Sequence, residues 1–330
     1  MTQTSYRAAI CTALSGPDSI RIEDQAVLPL QPGQVRLAVK AAGLNFPDLL
    51  MTYGKYQFRP EPPFVPGMEL AGEVLEVAPD VTRWRVGDRV SGGNKNGAFA
   101  EQIILDATLL RPLSAALSFE EGACWQAAAV TAWHALHDKA DLKAGESVLV
   151  LGASGGVGMA AVGLARHRDA VVIGTGSTAE KRAAILAAGA DHVLDPADPE
   201  LAAKVKDLTG GKGVDVVYDP VGGDLAITAT RAIAYGGRYL IVGFASGTIP
   251  QFPANHAMIK GYSLIGLRAG ESSRRDPDLA ERTRIALTAL ADQGVMRPHI
   301  SHRFALDQAA DALKVLETRS VIGRAVITMA

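Results

Sequence analysis

Short apolar runs separated by turn residues dominate the first third of the chain. Between residues 5 and 112 the apolar positions alternate, or nearly alternate, with polar ones, and Pro-Gly, Pro-Asp and Gly-Asp pairs separate the runs. A period of two is typical of strands that bury one face. The clearest runs are RIEDQAVLPL, QVRLAVKAAGL, LAGEVLEVA, DRVSGG and AFAEQIILD. This region is therefore predicted to form an antiparallel barrel or sandwich with few long helices.

Helices and strands alternate after Ser118. Ser118 and Glu121 form the S-x-x-E pattern of a capping box, which predicts a helix start. The predicted strands are SVLVLG, AVVIGTG, VDVVYDPVG, RYLIVGF and YSLIGLR, and the predicted helices between them include GVGMAAVGLARHR and STAEKRAAILAAGA, which ends at Gly189. Such alternation indicates βαβ units around a parallel sheet. Two amphipathic helices and a strand, AVITMA, follow.

This change of pattern predicts an α/β protein of two domains. A β-rich domain is expected over residues 1–124 and is completed by residues 266–330, and a doubly wound parallel-sheet domain is expected over 125–265. The length of 330 residues fits two hydrophobic cores better than one.

Composition and charge exclude several classes of protein. Apolar residues make up 48% of the chain, which excludes wholesale disorder. The formal charge of −2 and an aromatic content of 5% give no basis for nucleic-acid or anionic-membrane binding. Two cysteines, Cys11 and Cys124, cannot build a disulfide scaffold or a four-cysteine zinc site. With no secretory leader pattern and no apolar run of membrane-spanning length, a cytoplasmic protein is expected.

A glycine-rich turn between a predicted strand and a predicted helix is typical of a dinucleotide site. The pattern is Ala153-x-Gly155-x-x-Gly158, within the residues Ala153, Ser154, Gly155, Gly156, Val157 and Gly158. Gly155 would let a pyrophosphate approach the backbone, and Gly158 would let helix and strand pack closely. The helix N-terminus would supply N–H donors for phosphate. The alternative is a tight turn that binds no ligand.

The end of the second parallel strand predicts NADPH rather than NADH. No carboxylate stands where an NAD site binds the ribose hydroxyls, and Gly176 leaves space there. Ser177 and Lys181 provide a hydroxyl and a cation for a 2′-phosphate. In the alternative interpretation, Ser177 and Glu180 only cap the next helix and Lys181 is solvated.

Motifs along nearly the whole chain resemble one family. GLNFPDLL, PFVPGMELAGEV, VGDRV, LGASGGVG, VYDPVGGD and VGFASGTIP occur in this order. Together they resemble the zinc-independent quinone oxidoreductases of the medium-chain dehydrogenase/reductase superfamily. The resemblance implies a GroES-like substrate domain, a Rossmann cofactor domain, a homodimer, and NADPH-dependent reduction of quinones or other activated double bonds.

The residues at the metal positions of zinc-dependent relatives predict that no metal is bound. Those relatives place a cysteine ligand near Asn45 and a histidine at Met68, and neither ligand type is present. Glu69 remains, but one carboxylate does not make a catalytic zinc site. Without a Lewis acid, the expected substrate accepts hydride by conjugation, as a quinone or an α,β-unsaturated carbonyl does.

The resemblance also implies individual site residues. The catalytic candidates are Asn45 and Tyr56, and the further cofactor contacts are Thr131, Val242, Gly243, Phe244 and Arg319. Asn45 would lie beside the nicotinamide ribose, and Tyr56, or Tyr53 in its place, at the mouth of the substrate cleft.

Each of these assignments has a structural alternative. Asn45 can stabilise a turn, Thr131 can bond to its own helix backbone, and Arg319 can complement a helix C-terminus. Asp195 stands where some relatives have a tyrosine, and its carboxylate would have to point away from a 2′-phosphate.

Three arginines and three large side chains keep an alternative role open. A basic loop containing Arg268, Arg274 and Arg275 can receive a phosphorylated or CoA-bearing substrate, or be solvated. Trp125, Trp133 and His134 can pack in the core or face a cleft. An enoyl-thioester or haloacrylate-type reductase and a non-catalytic NADPH-binding sensor are therefore the competing functions.

Overall fold

The computed structural model describes residues 4–329 and divides them into two compact units. The first unit holds the described residues up to Gln126 and those from Ile300 onward, and the second holds Ala127–His299. The segment 266–299, expected to return to the β-rich domain, thus lies in the second unit. Its end lies against α3 (Gly156–His167): a Cβ at Gly163 would lie 3.4 Å from Met296 Cα, an ordinary contact distance.

The helices and strands follow one another in chain order. The strands are β1 (Ser5–Cys11), β2 (Ile20–Ala26), β3 (Gln34–Gly43), β4 (Glu69–Val77), β5 (Arg89–Gly92), β6 (Gln102–Asp106), β7 (Arg111–Pro112), β8 (Ser147–Val150), β9 (Val171–Thr175), β10 (His192–Leu194), β11 (Val214–Asp219), β12 (Ile233–Ile241), β13 (Ser263–Gly266), β14 (Ile300–Ala305) and β15 (Arg324–Thr328). The helices are α1 (Phe46–Thr52), α2 (Phe119–Trp133), α3 (Gly156–His167), α4 (Ala179–Ala187), α5 (Leu201–Leu208), α6 (Gly223–Ala232), α7 (Ala254–Lys260), α8 (Ala269–Arg275), α9 (Pro277–Asp292) and α10 (Ala309–Glu317).

The first unit is built on the strands that the alternating runs predicted. One sheet has the order β14-β15-β3-β4-β5-β7, with β6 also paired to β3, and β1 pairs with β2 in a second sheet. β3 is the central strand and pairs antiparallel with β4, β6 and β15. Its side chains Val35, Leu37 and Val39 are buried in the core of this unit. The strand β15, which follows the whole second unit along the chain, therefore completes the first unit.

The second unit is a six-stranded parallel sheet with the order β10-β9-β8-β11-β12-β13. All four residues of β8 are buried, as expected of a continuous apolar strand covered on both faces. Because β9 and β10 lie on one side of β8 and β11 on the other, the strand order reverses between β8 and β11, which is where doubly wound sheets bind ligands. The predicted fold class, α/β with a GroES-like β-rich domain and a Rossmann domain, is confirmed.

Helix α2 begins and ends in different ways. The predicted capping box is present: the Ser118 N–H donates to Glu121 Oε2 at 2.8 Å, and Ser118 Oγ accepts from the Glu121 N–H at 3.2 Å. Beyond Trp133 the helix continues as a π-helix over His134–Lys139.

Among residues 4–329, no helix combines the length and the apolar character that crossing a bilayer requires.

Candidate cofactor and active site

Gly152 makes the turn that follows β8. Its φ of +56° lies in the left-handed region, and a Cβ there would lie 2.7 Å from Val221 Cγ2. Its N–H donates to Thr175 Oγ1 at 3.0 Å, which ties the turn to the end of β9. Glycine meets both requirements at low cost. The sequence analysis treated Ala153 as a replacement for the turn glycine, whereas the glycine of the turn lies one residue earlier.

The loop packs directly against the first turn of α3. A Cβ at Gly158 would lie 2.5 Å from the Gly152 carbonyl oxygen and 2.8 Å from Ala153 Cα, so only glycine fits without a backbone shift. Ala153 and Ser154 are themselves buried. The close packing predicted for Gly158 is therefore present.

Gly155 has a different reason to be glycine. Its φ is −81°, and a Cβ would make only an ordinary contact, 3.5 Å from the Gly152 oxygen. Glycine is favoured over alanine at this N-cap position of α3, and the absence of a side chain would also let a ligand approach the backbone.

The N-terminus of α3 presents the donors that a phosphate group binds. The Met159 N–H makes a helical hydrogen bond to the Gly155 carbonyl at 2.8 Å. The N–H groups of Gly156, Val157 and Gly158 lie in the first turn, ahead of the helix's own hydrogen bonds. The loop and this twelve-residue helix thus fit a dinucleotide pyrophosphate.

The end of β9 differs from the expected geometry at Gly176. A Cβ at Gly176 would lie 2.8 Å from Ile185 Cδ1 and 3.1 Å from Arg182 Cγ. The side chains of α4 therefore occupy the space that the sequence analysis reserved for a phosphate. Packing of α4 on the strand end requires this glycine.

Ser177 is exposed and does not cap α4. Thr178 is the capping residue, and its Oγ1 accepts the Lys181 N–H at 3.2 Å. The alternative capping role of Ser177 with Glu180 is therefore wrong. Ser177 directly precedes this capping residue along the chain.

Asp195 is paired with a cation. Its Oδ2 accepts from Arg182 Nη1 at 3.2 Å, and the same Nη1 donates to the Gly176 carbonyl at 2.9 Å. Asp195 Oδ1 accepts the Ala197 N–H at 2.9 Å. The carboxylate expected to oppose a 2′-phosphate is thus held by internal partners, and it holds Arg182 at the end of β9.

Asp219, the last residue of β11, organises the loop that follows this strand. Its buried carboxylate accepts the N–H groups of Val221 and Gly222 at 2.8 and 2.9 Å, and the Tyr239 hydroxyl donates to it at 2.8 Å. Burial raises the pKa of the Asp219 carboxyl above its usual value. Sequence reasoning missed this residue, although a carboxylate that ends a wholly apolar strand, VDVVYD, is a usable signal.

The segment Val242–Phe244 follows β12 and is tied to β11. The Val242 and Gly243 N–H groups both donate to the Asp219 carbonyl, at 2.9 and 3.2 Å. Phe244 is exposed. These two N–H groups are therefore engaged internally, and a nicotinamide carboxamide would have to meet other groups of the segment.

In the first unit, Asn45 lies at the N-terminus of α1 and contacts a buried ion pair. Asn45 Oδ1 accepts from Arg324 Nη1 at 2.9 Å, and its backbone N–H donates to Asp48 Oδ2 at 2.8 Å. Asn45 Nδ2 lies 3.3 Å from Glu69 Oε2 and 3.4 Å from the Gly43 carbonyl oxygen. Asn45 thus stabilises the turn at the start of α1, which was its structural alternative. The hydrogen bond from Arg324 also orients its side-chain amide.

A cluster of ionisable side chains is buried beneath Asn45. Arg324 Nη2 donates to Glu69 Oε2 at 2.8 Å, and both side chains are less than a tenth exposed. Burial raises the pKa of Asp48 to about 7 and that of the Cys124 thiol to about 11. We call Asp48, Glu69, Cys124 and Arg324 the buried ionic cluster. The sequence analysis gave a role to none of them.

Glu69 is committed to this cluster. Within residues 4–329, no group of three or more His, Cys, Asp or Glu side chains is arranged to hold a metal ion. By the family resemblance, Asn45 and Met68 would stand at two ligand positions of zinc-dependent relatives, and the absence of a bound metal stays a prediction.

The two tyrosines near the end of α1 have different surroundings. Tyr53 donates its hydroxyl to Glu317 Oε1 at 2.7 Å, and this hydrogen bond raises the pKa of the Tyr53 hydroxyl. Tyr56 is half-buried and packs against the core of the first unit. Tyr53 is therefore engaged elsewhere, and Tyr56 remains the candidate.

The remaining predicted contacts show their structural alternatives. Thr131 Oγ1 donates to the Ala127 carbonyl at 2.7 Å, within its own helix. Arg319 is exposed, follows the end of α10, and has a φ of +55°. Arg274 and Arg275 both pair with Glu271, at 2.7 and 2.8 Å.

His134 has both ring nitrogens engaged. Nδ1 lies 3.0 Å from Asp138 Oδ2, and Nε2 lies 3.0 Å from Ser272 Oγ. The order serine, histidine, aspartate resembles a nucleophile with its base. However, the Ser272 N–H donates to the Arg268 carbonyl inside α8, so it cannot serve as an oxyanion donor. The arrangement tethers α8 to the π-helix.

Comparison with known proteins agrees with this geometry. An alcohol dehydrogenase GroES-like domain model matches residues 31–115, and a zinc-binding dehydrogenase model matches residues 156–283. The quinone oxidoreductase-like protein 2 homolog of Nematostella vectensis is 39% identical over 327 residues, covering 98% of this chain and 89% of that protein.

Solved structures give the same result. A quinone oxidoreductase of Pseudomonas syringae is 31% identical with a TM-score of 0.88, over 98% of this chain and 99% of that one. A mycobacterial protein complexed with NADPH is 31% identical with a TM-score of 0.89, over 98% and 100%. An NAD-dependent alcohol dehydrogenase is 28% identical with a TM-score of 0.88, over 98% and 100%. The chain belongs to the quinone oxidoreductase family of the medium-chain dehydrogenase/reductase superfamily, the family that its motifs resemble.

Proposed function

We propose that this protein is an NADPH-dependent reductase of quinones or other α,β-unsaturated carbonyl compounds that works without a metal. The observation that carries the proposal is the loop Gly152–Gly158 at the reversal point of the parallel sheet, together with an end of β9 that carries Ser177, Lys181 and Arg182. β9 ends in Thr175, so no carboxylate stands at the ribose position.

The residues of the second unit would hold the cofactor by its phosphates. The loop residues Ala153–Gly158 would receive the pyrophosphate, and Ser177 with Lys181 would receive the 2′-phosphate. When bound, a reduced nicotinamide supplies the hydride that the acceptor takes up. The family resemblance implies further cofactor contacts, which stay predictions, at Val242, Gly243, Phe244, Thr131 and Arg319.

The first unit would act on the acceptor. A conjugated carbonyl gains a hydride at carbon and a proton, and its oxygen carries the developing charge. Asn45 would donate a hydrogen bond from Nδ2 to an oxygen of the ligand, and Tyr56 would border the acceptor or donate to it. Glu69 is neutralised by Arg324, which supports chemistry without a Lewis acid at this position.

A coupled spectrophotometric assay tests the proposal. Protein treated with a chelator is expected to oxidise NADPH, followed at 340 nm, in the presence of 1,4-benzoquinone or an enone, and to prefer NADPH over NADH. Protein without acceptor is the control. A need for added zinc, or no oxidation across a broad acceptor panel, would contradict it. Tight NADPH binding without any turnover would favour the non-catalytic sensor.

The arginines invoked for the competing thioester reductase have partners inside the second unit. That interpretation needed Arg274 and Arg275 for a CoA handle, and both pair with Glu271. These hydrogen bonds lower the pKa of Glu271 to about 2. Arg274 and Arg275 remain 61% and 79% exposed, so the pairs are weak and the thioester alternative stays open. Charge reversal at Arg274 and Arg275 is therefore expected to leave reduction of simple acceptors unchanged.

We propose a homodimer formed through β13. This strand is the terminal strand of the six-stranded sheet, and its Leu264 side chain is 40% exposed. An unpaired strand edge is a template for pairing with a second copy. Light scattering is expected to show a dimer that Leu264→Lys weakens.

A cytoplasmic location is proposed because Cys11 and Cys124 are unpaired and buried, as a reducing compartment permits.

A further inference from the structure

Asn45 is held firmly at one end of its amide and loosely at the other. Oδ1 accepts from Arg324 at 2.9 Å, an ordinary hydrogen-bond length. The two contacts of Nδ2, at 3.3 and 3.4 Å, exceed the usual range for N–H···O bonds. The carbonyl end is therefore fixed by a strong hydrogen bond, whereas the amino end makes only two long and weak ones.

Arg324 decides which end of the amide faces inward. A guanidinium carries donors and no acceptor, so only the carbonyl end of Asn45 can face it. Removing Arg324 would remove this bias, and the amide could turn to present an acceptor where a donor now lies.

Arg324 itself cannot move. It is paired with Glu69, and its Nη2 lies where a Cβ on Gly43 would approach to 3.2 Å. The thiol of Cys124 is also a hydrogen-bond partner of the guanidinium. The carboxylate of Glu69 thus holds the guanidinium, while glycine at 43 is required mainly by the Ala123 carbonyl oxygen, which a Cβ would approach to 2.1 Å.

We propose that Arg324 and Glu69 are positioning residues that present Asn45 Nδ2 as a hydrogen-bond donor to an oxygen of the bound ligand. The proposal rests on the proposed function for the identity of that ligand. The orientation of the amide itself can be measured without any turnover.

The first measurement is kinetic and uses Arg324→Lys, which keeps the charge beside Glu69 but loses the planar fork. It is expected to lower kcat/KM for a quinone on the order of 10²-fold, with more of the loss in kcat than in KM. Asn45→Ala is expected to lose a similar factor, and the double variant no more than either alone. Losses that multiply would overturn the proposal, because they would show two independent roles.

The second measurement is spectroscopic. The chain has four asparagines, Asn45, Asn94, Asn96 and Asn255, so selective ¹⁵N labelling gives four side-chain amide pairs, and Asn45→Asp identifies the one of interest. Arg324→Lys is expected to shift that pair and to speed its hydrogen exchange. An unchanged Asn45 pair would overturn the proposal.

Arg36→Lys is the matched control. Arg36 is equally buried and pairs with Glu76 at 2.9 Å in the same unit, with no contact to Asn45. It is expected to lower stability while leaving kcat/KM and the Asn45 signals unchanged. If Arg324→Lys does not fold, the combined substitution Glu69→Met with Arg324→Met removes both members of the buried ion pair, and both measurements apply to it.

The two proposals fail in different ways. If the wild-type protein reduces no acceptor, the proposed function fails, while the Asn45 amide signals still decide whether Arg324 orients the amide. If reduction proceeds and Arg324→Lys leaves both readouts unchanged, only the positioning role fails.

Discussion

The loop Gly152–Gly158 and the buried ionic cluster prepare their sites by opposite means. The loop uses contiguous residues, their backbone groups and the space that is free because glycine has no side chain. The cluster uses side chains from α1, β4, α2 and β15, and it buries charges that are tolerated only because they are paired. The first therefore depends on local shape, and the second on partners that are distant in sequence.

The largest expected effect is the loss of one partner from the cluster. Arg324→Met leaves the Glu69 carboxylate buried without its cation, and we expect it to cost about 3–5 kcal/mol of unfolding free energy. Glu69→Met added to it is expected to restore most of that stability. Urea unfolding of the three proteins measures this. If the double variant were as unstable as the single one, the charges would not be the cause.

The glycine loop is expected to respond to volume instead. Gly158→Ala places a Cβ 2.5 Å from a backbone oxygen, and we expect a loss of about 1–3 kcal/mol together with nucleotide binding. Gly155→Ala is the control, since its Cβ meets only an ordinary contact. It is expected to lose less stability than Gly158→Ala, since only the N-cap preference for glycine over alanine opposes it, and to bind NADPH more weakly. Equal melting temperatures for both variants would show that Gly158 does not pack as described.

The cluster is also expected to make stability depend on pH. Burial raises the pKa of Asp48 from 3.8 to about 7. The folded state therefore binds this proton more tightly than the unfolded state, and its contribution to stability is lost as the pH rises from about 4 to about 7. The slope cannot exceed about 1.4 kcal/mol per pH unit.

Asp48→Asn isolates this contribution. The difference in unfolding free energy between wild type and Asp48→Asn is expected to change across that window and to stay constant above pH 8. A difference that does not vary between pH 4 and 7 would contradict a raised pKa.

The smallest effects are expected at the exposed end of β9. Lys181→Ala is expected to weaken NADPH binding about tenfold and to leave NADH binding unchanged. Asp195→Asn releases Arg182 from an exposed ion pair and is expected to strengthen NADPH binding only two- to fivefold. Fluorescence titration with both nucleotides measures this. If a substitution changed the affinities for NADH and NADPH equally, its effect would not come from the 2′-phosphate.

The sequence predicted the features whose causes lie within a few neighbouring residues. The capping box of Ser118 and Glu121, the buried strand β8 and the close packing at Gly158 are all encoded in short segments. The predicted glycine pattern starts at Ala153 and so omits Gly152, and the predicted cap of α4 lies one residue before the actual cap, Thr178. Errors of this size come from boundary positions, where neighbouring residues have similar propensities.

The buried ionic cluster could not be predicted in this way. Glu69 and Arg324 are 255 positions apart, and nothing in PGMELAG or GRAVIT shows that they meet. The return of the chain to the first unit at Ile300 likewise depends on the packing of Met296 against α3. Contacts between distant segments are set by tertiary packing, which local periodicity does not contain.

The position of β15 has a consequence for how the protein is made. Its hydrogen bonds to β3 and the Arg324 partner of Glu69 become available only after the ribosome has translated the entire second unit. At translation rates of about 5–20 residues per second, the carboxylate waits roughly 10–50 s for its cation. During that interval the nascent β-rich unit has an unpaired strand edge. The Rossmann unit is therefore expected to fold first, and chaperones are expected to bind the β-rich unit until β15 has been made.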